Sequence, residues 1–276
     1  MKMLHGKFFH TWFVASMIII FSHSSFAEEF SHDTWQQLLS DHVSLNASGH
    51  STQVDYAGMK QDQSKLNDYL AALAQVPRST FDSWPKDKQL AFLINAYNAA
   101  TVSLILTKYP DVTSIKDLGS FFSSPWSKSF VSLLGEKRTL DDIEHSFIRG
   151  SGVYPKGFQE PRIHFAVNCA SIGCPALRNE AYEGGKLEQQ LESQTQQFLA
   201  DKSRNRVENK TVYLSSIFKW YRDDFAAGWK GTESLNEFLL LYASSLKLNP
   251  EQQKSLASGD MDIEFLDYDW RLNDKR

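Results

Sequence analysis

The chain has 276 residues, with 29 Lys and Arg against 33 Asp and Glu, which gives a formal charge of −4. Apolar residues make up 42% and charged residues 22%, a composition typical of a folded soluble protein. This composition excludes a collagen, a low-complexity chain and a multi-span membrane protein. It also argues against nucleic-acid binding, because contact with a phosphate backbone requires a surplus of Lys and Arg on one face.

Residues 1–27 have the pattern of a secretory signal peptide. Lysines come first, apolar residues run from Trp12 to Phe21, and small residues at Ser25 and Ala27 precede a cleavage point. The apolar run is shorter than the roughly 20 residues that a membrane-spanning helix needs, which disfavours a retained anchor. Cleavage removes two Lys and no acid, so the charge changes from −4 to −6. We expect a periplasmic or secreted protein with no stable membrane anchor.

The mature chain has no internal repeat, low-complexity run or linker, which indicates a single domain. An N-terminal helical segment over 28–53, with an amphipathic helix at 33–45, precedes a domain expected at 54–273. Residues 86–108 are apolar around the whole helical circumference, so we predict a central buried helix there. The predicted fold class is α+β, a mainly helical domain with short β-hairpins and strands around that helix.

Local patterns predict the remaining elements. Helices are expected over 61–75, 140–149, 186–200, 215–226 and 233–246. Hairpins are expected from Phe130–Leu134 with Lys137–Leu140, and from Arg206–Val207 with Thr211–Leu214. Extended segments are expected at Val54–Tyr56, Arg162–Asn168 and Ile263–Trp270. Thr139 is expected to cap the helix over 140–149.

The two cysteines of the chain, Cys169 and Cys174, lie five positions apart, and three interpretations of them remain open. They can form a structural disulfide, since Gly173 permits a turn and an exported protein meets an oxidising compartment. They can form a redox-active pair, although the familiar motif has two intervening residues and this one has four. Alternatively, Cys169 can act as a nucleophile, which requires a base or a positive dipole nearby to generate the thiolate.

Two histidines are candidate bases for Cys169. His164 lies on the predicted strand Arg162–Asn168, where alternation places it on the opposite face from Cys169 unless the strand ends or bulges near Asn168. His145 lies on the flank of the helix predicted over 140–149. Neither histidine is favoured strongly by the pattern, and His164 is preferred only if the strand breaks.

Four further polar residues complete the candidate set. Glu144 lies at the edge of an apolar helix stripe and needs a partner, which can be an Arg, a backbone donor or a histidine that it orients. Asn95 and Asn98 share one face of the central helix and are expected to bond loop backbone groups, or else to orient a base or stabilise an oxyanion. Asp224 can approach the site from the aromatic segment Trp220–Phe225.

A metal site would need both cysteines and both candidate histidines to converge. Their spacing matches no standard zinc pattern, so no metal is expected. The sequence also contains no phosphate-binding loop, dinucleotide fingerprint or exposed-serine elbow, so no cofactor is expected.

Seven blocks of the chain, in order, resemble one known family. They are Ala91–Ala99, Leu140–His145, Arg162–Cys169, Cys174–Pro175, Leu214–Tyr221, Asp224–Phe225 and Tyr268–Trp270. Together they are similar to the domain of unknown function 547, and the resemblance runs from about Val54 to Asn273. It implies an uncharacterised domain, often exported in bacteria and suggested to be enzymatic. The residues here that match its motifs are Asn95, Asn98, Glu144, His145, His164, Cys169 and Asp224.

The leading hypothesis is an exported cysteine-dependent hydrolase or acyltransferase that acts on an amide, thioester or peptide-like bond. Cys169 is its nucleophile, one histidine its base, and Glu144 or Asn98 the orienting group. Its substrate is a small molecule or a peptide-like compound. The alternatives are a non-catalytic binding or scaffold domain with a structural Cys169–Cys174 disulfide, and a thiol–disulfide exchange protein.

Overall fold

The computed structural model describes residues 30–120, 122–150 and 157–275. Residues 32–276 are grouped in one compact unit, which carries every helix and strand described. The predicted signal peptide at 1–27 lies outside the described residues.

The elements follow one another in chain order. The α-helices are α1 (Asp33–His42), α2 (Tyr56–Gln61), α3 (Gln63–Ala74), α4 (Arg78–Asp82), α5 (Lys86–Leu106), α6 (Leu187–Ala200), α7 (Ile217–Trp220), α8 (Leu235–Leu241) and α9 (Pro250–Ser258). The strands are β1 (Val43–Leu45), β2 (Thr52–Val54), β3 (Val131–Leu133), β4 (Glu136–Arg138), β5 (Arg206–Glu208), β6 (Thr211–Ser215) and β7 (Asp262–Leu266). A π-helix spans Asp142–Ile148. Short 3₁₀ turns occupy Ile115–Leu118, Pro125–Ser127, Pro161–Phe165, Gly184–Lys186, Asp224–Ala226 and Trp229–Gly231.

Helix accounts for 49% of the structure, and the described sheets have two or three strands, so the predicted α+β class is confirmed. Helix α5 is the predicted central buried helix. Among the described residues it is the one helix long and apolar enough to cross a bilayer, but 94% of its most apolar stretch is buried within the fold. It is therefore a core helix, against which α3 and the π-helix pack.

The N-terminal helix ends earlier than predicted because its last residues join a hairpin. Val43 adopts an extended backbone conformation, and β1 pairs antiparallel with β2, with Val43 opposite Val54. The predicted hairpin of β3 with β4 is confirmed, and its turn lies at Leu134 and Gly135, both with positive φ. Two consecutive residues of positive φ are typical of the turn that connects two-residue hairpins.

The C-terminal half is organised around a three-stranded sheet. Strand β6 pairs antiparallel with β5 and parallel with β7, and Val212 lies opposite both Val207 and Ile263. The predicted extended segment 263–270 is a strand only as far as Leu266. An aromatic cluster packs against this sheet and consists of Phe165, Phe198, Phe218, Phe225 and Phe238.

The helices predicted over 215–226 and 233–246 are shorter than expected. The first is divided into α7 and the 3₁₀ turn Asp224–Ala226, and the second ends at Leu241. Phe218 and Phe225 both insert into the aromatic cluster, with ring centroids 4.8 Å apart. The break between the two segments therefore allows both rings to reach the same core, and it places Asp224 beside the candidate site.

The C-terminal segment after β7 crosses the molecule and fixes the cysteine loop. Gly173 donates its N–H to the Asp269 carbonyl at 2.8 Å, and Ile172 donates to the Arg271 carbonyl at 2.8 Å. A Cβ atom at Gly173 would lie 3.0 Å from the Asp269 backbone, so glycine permits this close approach. These contacts place Tyr268 beside the cysteines.

Candidate active site

A pocket of about 260 Å³ lies between the π-helix, the 3₁₀ turn Pro161–Phe165, helix α7 and the C-terminal segment. Predicted site residues that line it are Glu144, His145, His164 and Cys169. Asp224 is joined to this group through a hydrogen bond to His164. The structure therefore brings together five of the candidate residues, drawn from distant parts of the chain.

The helix predicted over 140–149 forms as a π-helix, in which each N–H bonds the carbonyl five residues earlier. Arg149 donates to the Glu144 carbonyl in this way, at 2.9 Å. Its N-terminal cap is the predicted one: the Thr139 hydroxyl accepts from Asp142 N–H, and the Asp142 carboxylate accepts from Thr139 N–H, both at 2.8 Å. The wider turn places Glu144 and His145 on the same pocket wall.

The prediction of a strand over Arg162–Asn168 is wrong. Pro161 begins a 3₁₀ turn, and the Glu160 carboxylate accepts the Arg162 N–H at 3.1 Å. The apolar–polar alternation arises because Ile163 and Phe165 enter the core while His164 turns to the pocket. Because the chain does not continue as a strand, His164 and Cys169 line the same pocket instead of lying on opposite faces.

His164 and Asp224 form a short hydrogen bond, 2.6 Å between Nε2 and Oδ2. A carboxylate can only accept, so Nε2 carries the proton. Burial lowers the pKa of His164, which favours the neutral ring. Its Nδ1 is then an acceptor, and it has no hydrogen-bond partner among the described residues.

Arg149 holds the other side of the Asp224 carboxylate. Its Nε and one terminal nitrogen lie 2.6 and 3.0 Å from the two carboxylate oxygens, and another terminal nitrogen lies 3.0 Å from His145 Nδ1. Burial would raise the pKa of Asp224, but the hydrogen bonds from His164 and Arg149 hold that pKa well below its usual range. Asp224 is therefore a fixed anion that orients His164.

Glu144 has a different partner from those that the sequence suggested. The Tyr221 hydroxyl donates to its carboxylate at 2.7 Å, and Tyr97 lines the same pocket. The Tyr221 ring stacks on His164 with centroids 3.8 Å apart. Glu144 therefore contacts His164 through the tyrosine, and Asp224 is the carboxylate bonded to that histidine.

Asn95 and Asn98 anchor loops and do not line the pocket. The Asn95 amide donates to the Tyr182 carbonyl at 2.8 Å and accepts the N–H of the same residue at 2.9 Å. The Asn98 amide donates to the Ala166 carbonyl at 3.0 Å and accepts the Asn168 N–H at 2.8 Å. Both side chains satisfy buried backbone groups, which was one of the two interpretations of the sequence.

Cys169 and Cys174 form a disulfide. Cys169 is half-buried, whereas Cys174 is only 1% exposed. The Cys169 N–H donates to the Cys174 sulfur at 2.9 Å, and the Tyr268 hydroxyl lies 3.0 Å from one sulfur and 3.2 Å from the other. Ser171 Oγ lies 3.2 and 3.4 Å from the same two atoms. Polar donors therefore surround both sulfurs.

Aromatic side chains of helix α7, the C-terminal segment and Trp126 also line the pocket. The rings of Tyr268 and Trp270 lie 4.5 Å apart, Trp220 lies 4.8 Å from Tyr268, and Trp126 lies 5.9 Å from Trp270. Trp220 is 48% exposed. This lining is suited to an organic ligand that packs against ring faces.

Sequence reasoning did not identify Arg149, Tyr221 and Tyr268 as members of the site. Tyr221 and Tyr268 lie in the recognised blocks, but aromatic residues at such positions are usually core. Arg149 ends its predicted helix, as many basic residues do. The sequence did carry one signal for Tyr221 and Tyr268 as site residues: both lie in blocks of the family resemblance, as do Glu144 and Asp224.

One group of side chains in the described part of the chain could hold a metal ion: Asp41, His42 and Asp62, whose ligand atoms lie within 4.8 Å of one another. Asp62 is already bonded to His42 at 2.9 Å and to Lys65 at 2.9 Å. These residues do not line the pocket.

Comparisons with known proteins identify part of the chain. Residues 81–199 match the family described as "Protein of unknown function, DUF547". No curated protein and no solved structure matches the chain. The match contains the block around Asn95 and Asn98, the π-helix and the cysteine pair, whereas Asp224 and Tyr268 lie beyond it. Residues 81–199 of this chain are a DUF547 domain.

Proposed function

We propose that the pocket is the active site of a thiol–disulfide exchange reaction at Cys169 and Cys174. One observation carries this proposal: the disulfide lies in the pocket wall with one sulfur half-buried and the other buried among hydrogen-bond donors. A purely structural disulfide needs neither a pocket nor donors aimed at its sulfurs. This arrangement favours the exchange alternative over a hydrolase, because Cys169 is not a free thiol here.

The first step is attack of an incoming thiolate on the half-buried Cys169 sulfur. A bond forms between the incoming sulfur and Cys169, the Cys169–Cys174 bond breaks, and its electron pair leaves on Cys174 as a thiolate. The Cys169 N–H, 2.9 Å from that sulfur, stabilises the developing charge. Because exchange is faster when the leaving thiol has a lower pKa, this donor accelerates bond breaking.

Tyr268 supports the same step. Burial raises the pKa of its phenol, so it remains a protonated donor at neutral pH. Its hydroxyl lies within 3.2 Å of both sulfurs and can donate to whichever carries the charge. Ser171 Oγ lies in a similar position. Tyr268 is therefore a donor for either thiolate.

A second thiolate then attacks the mixed disulfide at the incoming sulfur and releases Cys169 as a thiolate. In sum, two small thiols and the protein disulfide are converted into one small disulfide and the protein dithiol. Reaction of that dithiol with a different disulfide restores the starting state and yields two thiols. Electrons thus pass from one thiol–disulfide couple to another.

The test is capture of the mixed disulfide. In Cys174→Ser, a probe disulfide such as bis(2-hydroxyethyl) disulfide should modify Cys169 stably, because no internal thiol can displace the adduct. In Cys169→Ser, the buried Cys174 should react at least about tenfold more slowly, since the attacking thiolate must be accessible. Intact-protein mass spectrometry measures both adducts.

Equal labelling of the two variants would overturn the assigned order of attack. A native disulfide that withstands millimolar thiol without denaturant would overturn exchange and favour a structural disulfide in a non-catalytic binding or scaffold domain. Circular dichroism of both variants controls for unfolding.

The His164–Asp224 pair favours a second function. In the reduced protein, Cys169 could act as the nucleophile of a hydrolase or acyltransferase, with His164 Nδ1 as base. Nδ1 is the unpartnered acceptor of a buried, oriented ring, which is the state that a general base needs. The same variants separate the functions: a hydrolase needs only Cys169, so reduced Cys174→Ser keeps thioester hydrolysis, whereas exchange turnover needs both sulfurs.

We also propose that the protein is exported and acts in the periplasm or outside the cell. The pattern at residues 1–27 supports export, and a disulfide persists most readily in an oxidising compartment. Expression of the full chain in a bacterial host should give a mature protein whose N-terminus is Glu28, measured by intact mass. A full-length cytoplasmic product would contradict export.

A further inference from the structure

The pocket that contains the disulfide is also lined by carboxylates and aromatic rings. From this combination we propose that the pocket binds a small ammonium group beside the cysteines, so that its substrates are low-molecular-weight aminothiols and their disulfides. This assignment of substrate class rests on the proposed exchange function. The binding of the cation itself rests on the pocket alone.

Glu144 is the main carboxylate on which this inference rests. It lies in the pocket wall, is only 6% exposed, and accepts a hydrogen bond from the Tyr221 phenol. No Lys or Arg nitrogen of the described residues forms an ion pair with it within 4.0 Å. A buried carboxylate normally has a cationic partner, because an unpaired charge is costly to bury. A bound ammonium group would be that partner.

Asp141 adds a second carboxylate to the same wall, one turn before His145. Its oxygen lies 3.8 Å from His145 Nε2, which is an ion pair when that histidine is protonated. The positive charges near the pocket have partners of their own. Arg149 is paired through two hydrogen bonds with Asp224, Lys116 lies over the Trp270 ring, and the neutral form of His164 is favoured by burial. Glu144 and Asp141 are therefore pocket-lining carboxylates without a Lys or Arg ion pair among the described residues.

The aromatic side supplies the second element of cation recognition. An ammonium group is attracted to the face of a Trp or Tyr ring within about 6 Å. Trp270 already binds one cation in this way, with Lys116 Nζ 3.7 Å from its ring centroid. Trp220 and Tyr268 present further ring surface to the pocket, 4.8 Å apart.

Unsatisfied polarity also adjoins the pocket. His164 is part of the lining, its side chain is only 1% exposed, and its Nδ1, an atom buried from solvent, has no hydrogen-bond partner among the described residues. A neutral Nδ1 is an acceptor, so an ammonium group that reached it would satisfy it. The volume of about 260 Å³ is below the range of about 300–1,000 Å³ for drug-sized ligands, which limits the substrate to a small molecule.

The test compares three thiols of similar size and different charge: cysteamine, 2-mercaptoethanol and 3-mercaptopropionate. The rate of reduction of the native disulfide is measured per thiolate and divided by the rate of the same thiol with bis(2-hydroxyethyl) disulfide, which removes intrinsic reactivity. Cysteamine should exceed 2-mercaptoethanol by about tenfold in this ratio, because one nearby opposite charge has that effect in a partly buried site. The anionic thiol should be slowest.

Glu144→Gln keeps an oxygen for the Tyr221 hydroxyl and removes the charge, and it should abolish most of the cysteamine preference. The matched control is Glu251→Gln, an exposed acid in α9 that should leave the preference unchanged. Tetramethylammonium, which has no thiol, should quench the fluorescence of the pocket tryptophans in the wild type and more weakly in Glu144→Gln. The neutral analogue neopentyl alcohol should bind least.

The outcomes separate the two proposals. Equal normalised rates for the three thiols, with exchange still observed, would overturn the substrate class and leave exchange standing. Failure of every thiol to reduce the disulfide would overturn exchange, and the tetramethylammonium titration would then decide cation binding by itself. No difference between tetramethylammonium and the neutral analogue would overturn the ammonium site.

Discussion

Replacement of Asp224 by asparagine is expected to lower the free energy of unfolding at pH 7.5 by about 2–3 kcal/mol. The carboxylate receives hydrogen bonds from Arg149 and His164. Its loss leaves a guanidinium without its anion and gives the imidazole an uncharged partner. Breaking a fully buried ion pair costs about 3–5 kcal/mol. We expect less here, because the Arg149 and Asp224 side chains are both more than a quarter exposed and solvent screens their interaction. Urea unfolding followed by circular dichroism measures the difference.

The pH dependence of this effect has a definite sign. The folded pKa of Asp224 is depressed, so its contribution is complete above the unfolded value of about 3.9 and is lost as the pH falls below that value. The folded pKa of His164 is also lowered, so neutral burial stabilises fully above about pH 6.5 and less as the pH falls through the folded pKa. Acid should therefore destabilise the wild type, and the Asp224→Asn difference should shrink below about pH 4.

Asp223→Asn is the matched control, since Asp223 is adjacent, exposed and outside the pocket lining. Its stability should be within about 0.5 kcal/mol of the wild type. Asp224→Asn should also lower the pKa of His164 further, because Asp224 raises it. A histidine NMR titration without such a change, together with wild-type stability, would contradict the role given to the carboxylate.

Replacement of Arg162 by alanine should be still more destabilising, by about 3–5 kcal/mol. The guanidinium is 1% exposed and forms ion pairs with three carboxylates, at 2.7 Å to Glu160, 2.5 Å to Glu188 and 3.2 Å to Glu192. It also lies 4.6 Å from the Trp229 ring centroid. The substitution removes the cation that bonds all three acids, leaves Lys230 paired with Glu188 only, and opens a cavity beneath the turn that carries His164.

Arg162→Lys should recover only part of this stability, because an ammonium group cannot bond several carboxylates through a planar fork. Arg222→Ala removes an exposed arginine and should change the stability little. Thermal and urea unfolding of the three variants provide the measurement. An Arg162→Ala protein as stable as Arg222→Ala would show that the ion cluster contributes no net stability.

The sequence predicted most strongly the elements whose side chains repeat with one period over many residues. Helix α5 is apolar all round, and the structure buries it as expected. The cap by Thr139 was also predicted, because it depends on residues only three positions apart, and the structure adds Asp142 as its partner. Local periodicity failed at Arg162–Asn168, where alternation also fits a 3₁₀ turn begun by Pro161 and held by distant glutamates.

The residues of the candidate site were predicted better than the hydrogen bonds between them. Glu144, His145, His164 and Cys169 line one pocket, and Asp224 bonds His164. The partner of each group was not predictable, because Tyr221 and Asp224 come from the break after α7, and Tyr268 comes from the segment after β7. Such contacts join residues 60 to 99 positions apart.

By itself the sequence determined the α+β class, the buried helix, the family resemblance and the spacing of two cysteines that can close a disulfide. Only the tertiary structure decided which sulfur is buried, which carboxylate holds His164, and that acids and aromatic rings line one pocket with the disulfide. The reason is physical: periodicity and capping follow from neighbours along the chain, whereas burial and hydrogen-bond partners depend on how distant segments pack.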